Sequence, residues 1–199
     1  MSAPTTIHLT STNAHKLQEL STIFAAEDGA FVFAPPPRPL EVEETGETFA
    51  ANALLKAQAA AAAFGTPCLA DDSGLAVEAL GGRPGVYSAR YAATDAARIE
   101  KLLGELAGVP AARRGAAFVC AMALAWPDGR TLVVEGRCEG RITEAPAGSG
   151  GFGYDPVFLV PAHGRTFGEL PAEVKHTISH RAQAAARLRE ALRAAARTP

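Results

Sequence analysis

The chain has 199 residues, 48% of them hydrophobic and 20% charged, with a formal net charge of -2. That length and apolar fraction suffice for a real core, in one domain or in two small lobes. The charge balance excludes long-range attraction for nucleic acid polymers or anionic membranes, so an anionic substrate needs a local basic cluster.

No basic flank or apolar core of a leader precedes Ile7. No apolar stretch reaches the ~20 residues that span a bilayer, so a soluble cytoplasmic protein is expected. Ile7–Leu9 is a short apolar run ending in Ser11-Thr12-Asn13, a loop composition. Leu17, Leu20 and Phe24 then recur at helical spacing. Gly29 is expected to close that helix, and Phe31–Phe33 reads as a strand. Pro35, Pro36, Pro37 and Pro39 form a stiff connector, either a lobe boundary or a surface loop. A longer helix is predicted over Phe49–Phe64, with Phe49, Ala53, Ala57, Ala60 and Phe64 on one face and Gly65-Thr66-Pro67 as its stop.

Cys68–Ala70 reads as a strand feeding a turn, Asp71-Asp72-Ser73-Gly74. Gly81-Gly82 and Pro84-Gly85 carry two turn signals, and Ile99, Leu102, Leu103 and Leu106 mark a third helix. Ala117–Trp126 and Thr131–Gly136 flank Pro127-Asp128-Gly129-Arg130 as a β-hairpin. Gly148–Tyr154 is glycine-rich, Val157–Val160 reads as a strand, and Ser179 is placed to cap a last helix with Leu188 and Leu192. Cys68, Cys120 and Cys138 show no paired spacing and read as buried reduced thiols. Alternating helices and strands with an intruding hairpin predict an α/β fold with a mixed sheet.

Five signals point to chemistry. Ser11-Thr12-Asn13-Ala14-His15-Lys16 opens a helix, where backbone N–H groups make a ready anion site. Lys16 in that first turn opposes the helix dipole, a conflict a bound phosphate removes. Glu43-Glu44 and Asp71-Asp72 offer carboxylates of the kind that hold Mg²⁺ alongside phosphate oxygens. Asp71-Asp72 is read just outside the carboxyl end of a strand, where α/β folds place ligands. Asn52 and Lys56 share one helix face. Gly148-Ser149-Gly150-Gly151-Phe152-Gly153-Tyr154 matches a dinucleotide fingerprint by letter. It lacks the strand before and the helix after, so it reads instead as a loop admitting a flat ligand, with Phe152 or Tyr154 to stack on a base. Lys175, His180 and Arg181 cluster around the start of the last helix.

Taken in order, TSTNAHKLQEL, EETGETFAANALLKA, LADDSGLAVEALGGRPGVYSARYA, PAGSGGFGYDPVF and KHTISHRAQA resemble the inosine triphosphate pyrophosphatase family over nearly the whole chain. The resemblance implies an elongated mixed β-sheet with flanking helices, forming two lobes around a deep central cleft within a single domain over 1–199. It implies hydrolysis of noncanonical purine nucleoside triphosphates (ITP, dITP, XTP) to the monophosphate and pyrophosphate. Ser11, Thr12, Asn13, Ala14, His15 and Lys16 would hold the triphosphate with Lys56. Glu43 and Asp72 would hold Mg²⁺, Asp72 also being the proton acceptor, and Ser73 would touch the substrate. Phe152, Gly153, Tyr154 and Asp155 would wall the base pocket, which Lys175, His180 and Arg181 would close. Arg181 and Lys16 would thereby serve opposite ends of the nucleotide. Glu44 and Asp71 would stand behind the metal. A homodimer is implied. The alternatives are a Maf-like pyrophosphatase acting on other modified nucleotides, and a non-catalytic nucleotide sensor.

Overall fold

The computed structural model describes residues 5–11, 13–25 and 31–195, so Thr12, Gly29 and the segment before Thr5 lie outside the described residues. In chain order the elements are β1 (Thr5–Thr10), α1 (Ala14–Phe24), β2 (Phe31–Ala34), α2 (Phe49–Phe64), β3 (Cys68–Val77), α3 (Asp95–Glu105), β4 (Gly115–Ala125), β5 (Thr131–Ile142), β6 (Phe158–Val160), β7 (Arg165–Thr166), α4 (Ala172–Ile178) and α5 (His180–Ala195), with short 3-10 turns between some of them. The strands form one sheet in the order β2-β1-β3-β4-β5-β6-β7. β1 runs parallel to β2 and β3, whereas β6 runs antiparallel to β5 and β7, so the sheet is mixed as the alternation predicts.

Local signals set several boundaries. Thr48 caps α2 by accepting from the Ala51 amide, and Gly65 ends it with a left-handed φ of 67°. Asn13 caps α1 by accepting from the His15 and Lys16 amides. The hairpin turn closes through Trp126 N donating to Arg130 O at 2.9 Å.

Two expectations change, and one strand is unanticipated. Asp71-Asp72-Ser73-Gly74 is not a turn: it lies inside the ten-residue strand β3. Pairing with β1 stops at Thr10↔Ala70, but β4 flanks β3 on its other side and carries the strand on. Sheet context here overrides the poor strand propensity of Asp and Gly. Lys175 sits within its own helix, α4, which Ser179 closes by donating its amide to Lys175 O. The two-residue β7 has no periodicity for a sequence reading to catch.

The chain divides into two compact units. The first holds the described residues up to Asp72, Cys120–Gly136 and those from Arg181 on; the second holds Ser73–Val119 and Arg137–His180. In the first, strand alternation sorts the core by face. Leu69, Cys120, Met122 and Leu124 pack with Leu20, Phe24, Leu188 and Leu192 of α1 and α5. Cys68, Ala70, Ala121, Ala123 and Ala125 meet Ala53, Ala57, Ala60 and Ala61 of α2. Small side chains on both partners let that helix lie close to the strands. Ala57→Leu is therefore expected to destabilise the fold by about 1–3 kcal/mol through overpacking, read as a lower denaturation midpoint with an unchanged denaturant slope. The second unit has its own core, in which Ile99, Leu102 and Leu106 pack on Leu75, Val77, Phe118, Phe158 and Phe167. All three cysteines are free and buried, and burial pushes the Cys120 thiol up to about 12. Among the described residues no helix is long and apolar enough to cross a membrane.

Candidate active site

In the first unit, the α1 cap brings Lys16 to a buried carboxylate rather than to solvent. Ser11 Oγ accepts the Asn13 amide at 3.2 Å, and Asn13 Oδ1 accepts the His15 and Lys16 amides at 3.0 and 3.2 Å. Lys16 Nζ lies 3.2 Å from Asp71 Oδ2, whose side chain is 0% exposed. The dipole conflict read from the sequence is thus offset within the chain by a β3 carboxylate. Ala14 and His15 are exposed beside it.

Arg181, at the start of α5, meets the same group. Its Nε stands 3.4 Å from Asp71 Oδ2, and its Nη1 donates to Glu19 Oε2 at 2.5 Å. Burial by itself would raise the Asp71 carboxyl. The charges of Lys16, Arg181 and Lys56 outweigh it and hold that carboxyl far below the usual range. Lys16 and Arg181 therefore share one carboxylate. The physical reason is that an arginine 2% exposed needs compensating charge, and Asp71 and Glu19 supply it.

Asp72, the next residue, points into a different cluster, because successive strand residues face opposite sides. Its Oδ2 accepts from Asn52 Nδ2 at 3.1 Å, and Lys56 Nζ stands 4.0 Å from its Oδ1. Lys56 also donates to Glu44 Oε1 at 2.5 Å. Burial raises the Asp72 carboxyl, and Glu44 adds to this; Lys56, Lys16 and Asn52 oppose it without cancelling it. A carboxylate with raised basicity, aimed at a lysine, is suited to accepting a proton or holding a cation. The carboxylate brought to Asp72 and Lys56 is Glu44, whereas Glu43, the residue expected at the metal, is exposed. Exposure alternates along 41–46, so neighbouring residues of this extended segment face opposite ways.

In the second unit, the glycine-rich loop is held by carboxylates. Asp155 Oδ2 accepts the Phe152 amide at 2.9 Å and Lys175 Nζ at 2.5 Å. Asp95 at the start of α3 accepts the Gly153 amide at 2.7 Å. Lys175 is 4% exposed and lies 4.7 Å from the centre of the Phe152 ring, a cation–π contact. His180 stacks on Phe118 with ring centres 4.8 Å apart. Tyr154, one of the two aromatics expected to stack on a base, is buried at 4% exposure and donates its hydroxyl to Ser88 O at 3.0 Å. Phe152 is the half-buried one of the pair.

Two of the loop's glycines have a packing reason. A Cβ at Gly148 would meet Gly168 O at 2.1 Å, and one at Gly151 would meet Asp155 Oδ2 at 2.0 Å. Both also have positive φ, 77° and 72°. They let the loop fold onto its own protein. Ser73, half-buried, begins this unit, and the following Gly74 packs against Ser88, whose Oγ accepts the Leu75 amide at 2.9 Å.

Sequence reasoning overlooked Glu19, Asp95 and Ser88. Only Glu19 left a trace, one turn after Lys16 on α1 and on its buried side.

Among the described residues no three His, Cys, Asp or Glu side chains group as a self-sufficient metal cage. Glu44 and Asp72 are hard oxygen donors that already face a shared cation, the Lys56 ammonium. A pair of this kind fits Mg²⁺, which usually takes one or two carboxylates and completes its shell with water and substrate phosphate.

Comparison with known proteins gives a concordant result. A model of the Ham1 family matches residues 7–191. A dITP/XTP pyrophosphatase of Geobacillus kaustophilus is 52% identical over 92% of this chain and 92% of its own length. A second, from Thermosynechococcus vestitus, is 53% identical over 92% of each chain. A HAM1 protein structure from Coxiella burnetii superposes with a TM-score of 0.84 at 43% identity, covering 94% of this chain and 98% of that one. None of these relatives supports the Maf-like alternative.

Proposed function

The chain belongs to the Ham1 family, and from that premise we propose that it hydrolyses noncanonical purine nucleoside triphosphates, dITP, XTP and ITP, to the monophosphate and pyrophosphate. The observation that carries the reading is the sorting of two adjacent carboxylates. Asp71 is neutralised by Lys16 and Arg181, while Asp72 is raised and faces Lys56 and Glu44.

Cleaving an α–β phosphoanhydride requires neutralising the phosphate oxygens and orienting a water in line with the leaving group. Lys16, Lys56 and the amides of the Ser11–Lys16 segment, Thr12 among them, hold the triphosphate. Glu44 and Asp72 would hold Mg²⁺, which would supply positive charge to the phosphate oxygens. Asp72 orients or deprotonates the water. Ser73 contacts the substrate. Preorganised charge of this kind is usually the largest catalytic contribution. Phe152–Asp155, Lys175, His180 and Arg181 take the base.

Hypoxanthine and xanthine carry an O6 acceptor where adenine carries an amine donor. A donor placed for O6 faces another donor on adenine, at about 1–3 kcal/mol per unsatisfied group. Donors from His180, Arg181 or backbone N–H groups are the ones that would pair with O6. A cytoplasmic enzyme working as a homodimer completes the proposal.

The test is pyrophosphate release across a panel of ITP, dITP, XTP, ATP and GTP, with Mg²⁺ and with a chelator. Activity on the first three should far exceed that on ATP and GTP, vanish in the chelator and return with Mg²⁺. Comparable kcat/KM for ATP and ITP, or a diphosphate as first product, would overturn the reading. Lys16→Ala should weaken ITP and ATP alike and leave their ratio within about twofold, since phosphate charge is common to both. His180→Ala should narrow that ratio by about tenfold, the worth of one lost discriminating contact.

A further inference from the structure

Asn52 lies one turn before Lys56 on α2 and is 0% exposed. A buried primary amide is costly unless its donors and acceptor are used. Its carbonyl oxygen accepts the Gly46 amide at 2.7 Å, and its amide nitrogen donates to Asp72 Oδ2 at 3.1 Å. The orientation of the amide is dictated by its partners, because a backbone N–H meets only an acceptor and an ionised carboxylate only a donor. One side chain thus touches both Asp72 and the segment that carries Glu44 two residues before Gly46. The contact is tight: a Cβ at Gly46 would stand 2.7 Å from Asn52 Oδ1 and 2.7 Å from Ala51 Cβ.

We propose that Asn52 is the positioning residue of the cation site. By engaging Oδ2 of Asp72 it turns Oδ1 toward Lys56, and by holding Gly46 it sets how far Glu44 stands from that oxygen. Glu44 and Asp72 come from separate segments, and Asn52 is the hydrogen-bonded link that registers one against the other. This inference rests on reading Glu44 and Asp72 as the pair that holds the metal. Leucine at position 52 would keep the volume and lose both hydrogen bonds. Aspartate would keep the acceptor for Gly46 while losing the donor to Asp72.

The experiment measures binding of Mn²⁺ alone by electron paramagnetic resonance, with ITP turnover and thermal melting, in the full-length protein and in Asn52→Leu and Asn52→Asp. Both variants should bind Mn²⁺ about 10–100-fold more weakly, the usual effect of losing a partner behind a metal ligand. Their kcat should fall about tenfold, with KM for ITP at saturating metal moving less than about threefold. Asn52→Asp sets a second carboxylate beside the buried Asp72 and should melt lower, so each variant is assayed well below its own melting temperature, which separates positioning from fold loss. Gly46→Ala leaves Asn52 in place and presses on its Oδ1, and should weaken Mn²⁺ in the same direction. Normal Mn²⁺ affinity with only a lower melting temperature would make Asn52 a packing residue and overturn the proposal. Unchanged Mn²⁺ binding in Glu44→Gln and Asp72→Asn would overturn the metal reading itself, whatever the Asn52 variants do.

Discussion

Asp72→Asn is expected to lower kcat by about 10²–10⁴-fold, the range for losing a group that transfers or orients a proton. The substitution is nearly isosteric and keeps an oxygen to accept from Asn52 Nδ2, so the fold should survive. The carboxylate it removes is one that burial has made more basic and that Lys56 faces from 4.0 Å. Turnover of ITP at saturating Mg²⁺, measured beside a melting curve, checks both halves. Near-normal turnover would remove Asp72 from the roles of base and of metal ligand together.

Asp71→Asn should act on stability, because its carboxylate compensates two cations. A buried ion pair broken from one side typically costs about 3–5 kcal/mol. Glu19 remains on Arg181, which places the expected loss near the lower figure. For a chain of this length about 3 kcal/mol lowers Tm by roughly 10 °C. The Asp71 carboxyl is depressed in the folded state, so its contribution is complete above the ordinary carboxylate value of about 4 and is lost as pH falls below it. The stability gap between the unsubstituted protein and Asp71→Asn should therefore be wide at neutral pH and shrink in acid. Denaturant unfolding at pH 7 and pH 3 reads this directly, and a gap that widened in acid would contradict the sign.

The two predictions concern adjacent residues with opposite roles, and the strand explains the contrast. Side chains alternate across β3, so Asp71 joins Lys16, Arg181 and Glu19 while Asp72 joins Asn52, Lys56 and Glu44. A turn, as the residues Asp-Asp-Ser-Gly suggest by composition, would not separate them this way.

The sequence by itself determined what short-range physics controls. Helix α2 begins and ends where Thr48 and Gly65 cap it, Asn13 opens α1, and the hairpin turns at Pro127–Arg130. Burial of the three thiols follows from the apolar runs that contain them. The long motifs pointed to the family, and the charged residues within them supplied the candidates for the site. The tertiary structure alone decided how those candidates are paired. Arg181 reaches Asp71 across 110 positions of chain, and Asn52 reaches Asp72 across 20. It also paired Glu44 with Lys56, and it gave Gly148 and Gly151 a packing reason. Capping and periodicity act within one or two turns of backbone, whereas Coulombic pairing and desolvation depend on which segments the fold brings together in a buried, low-dielectric place.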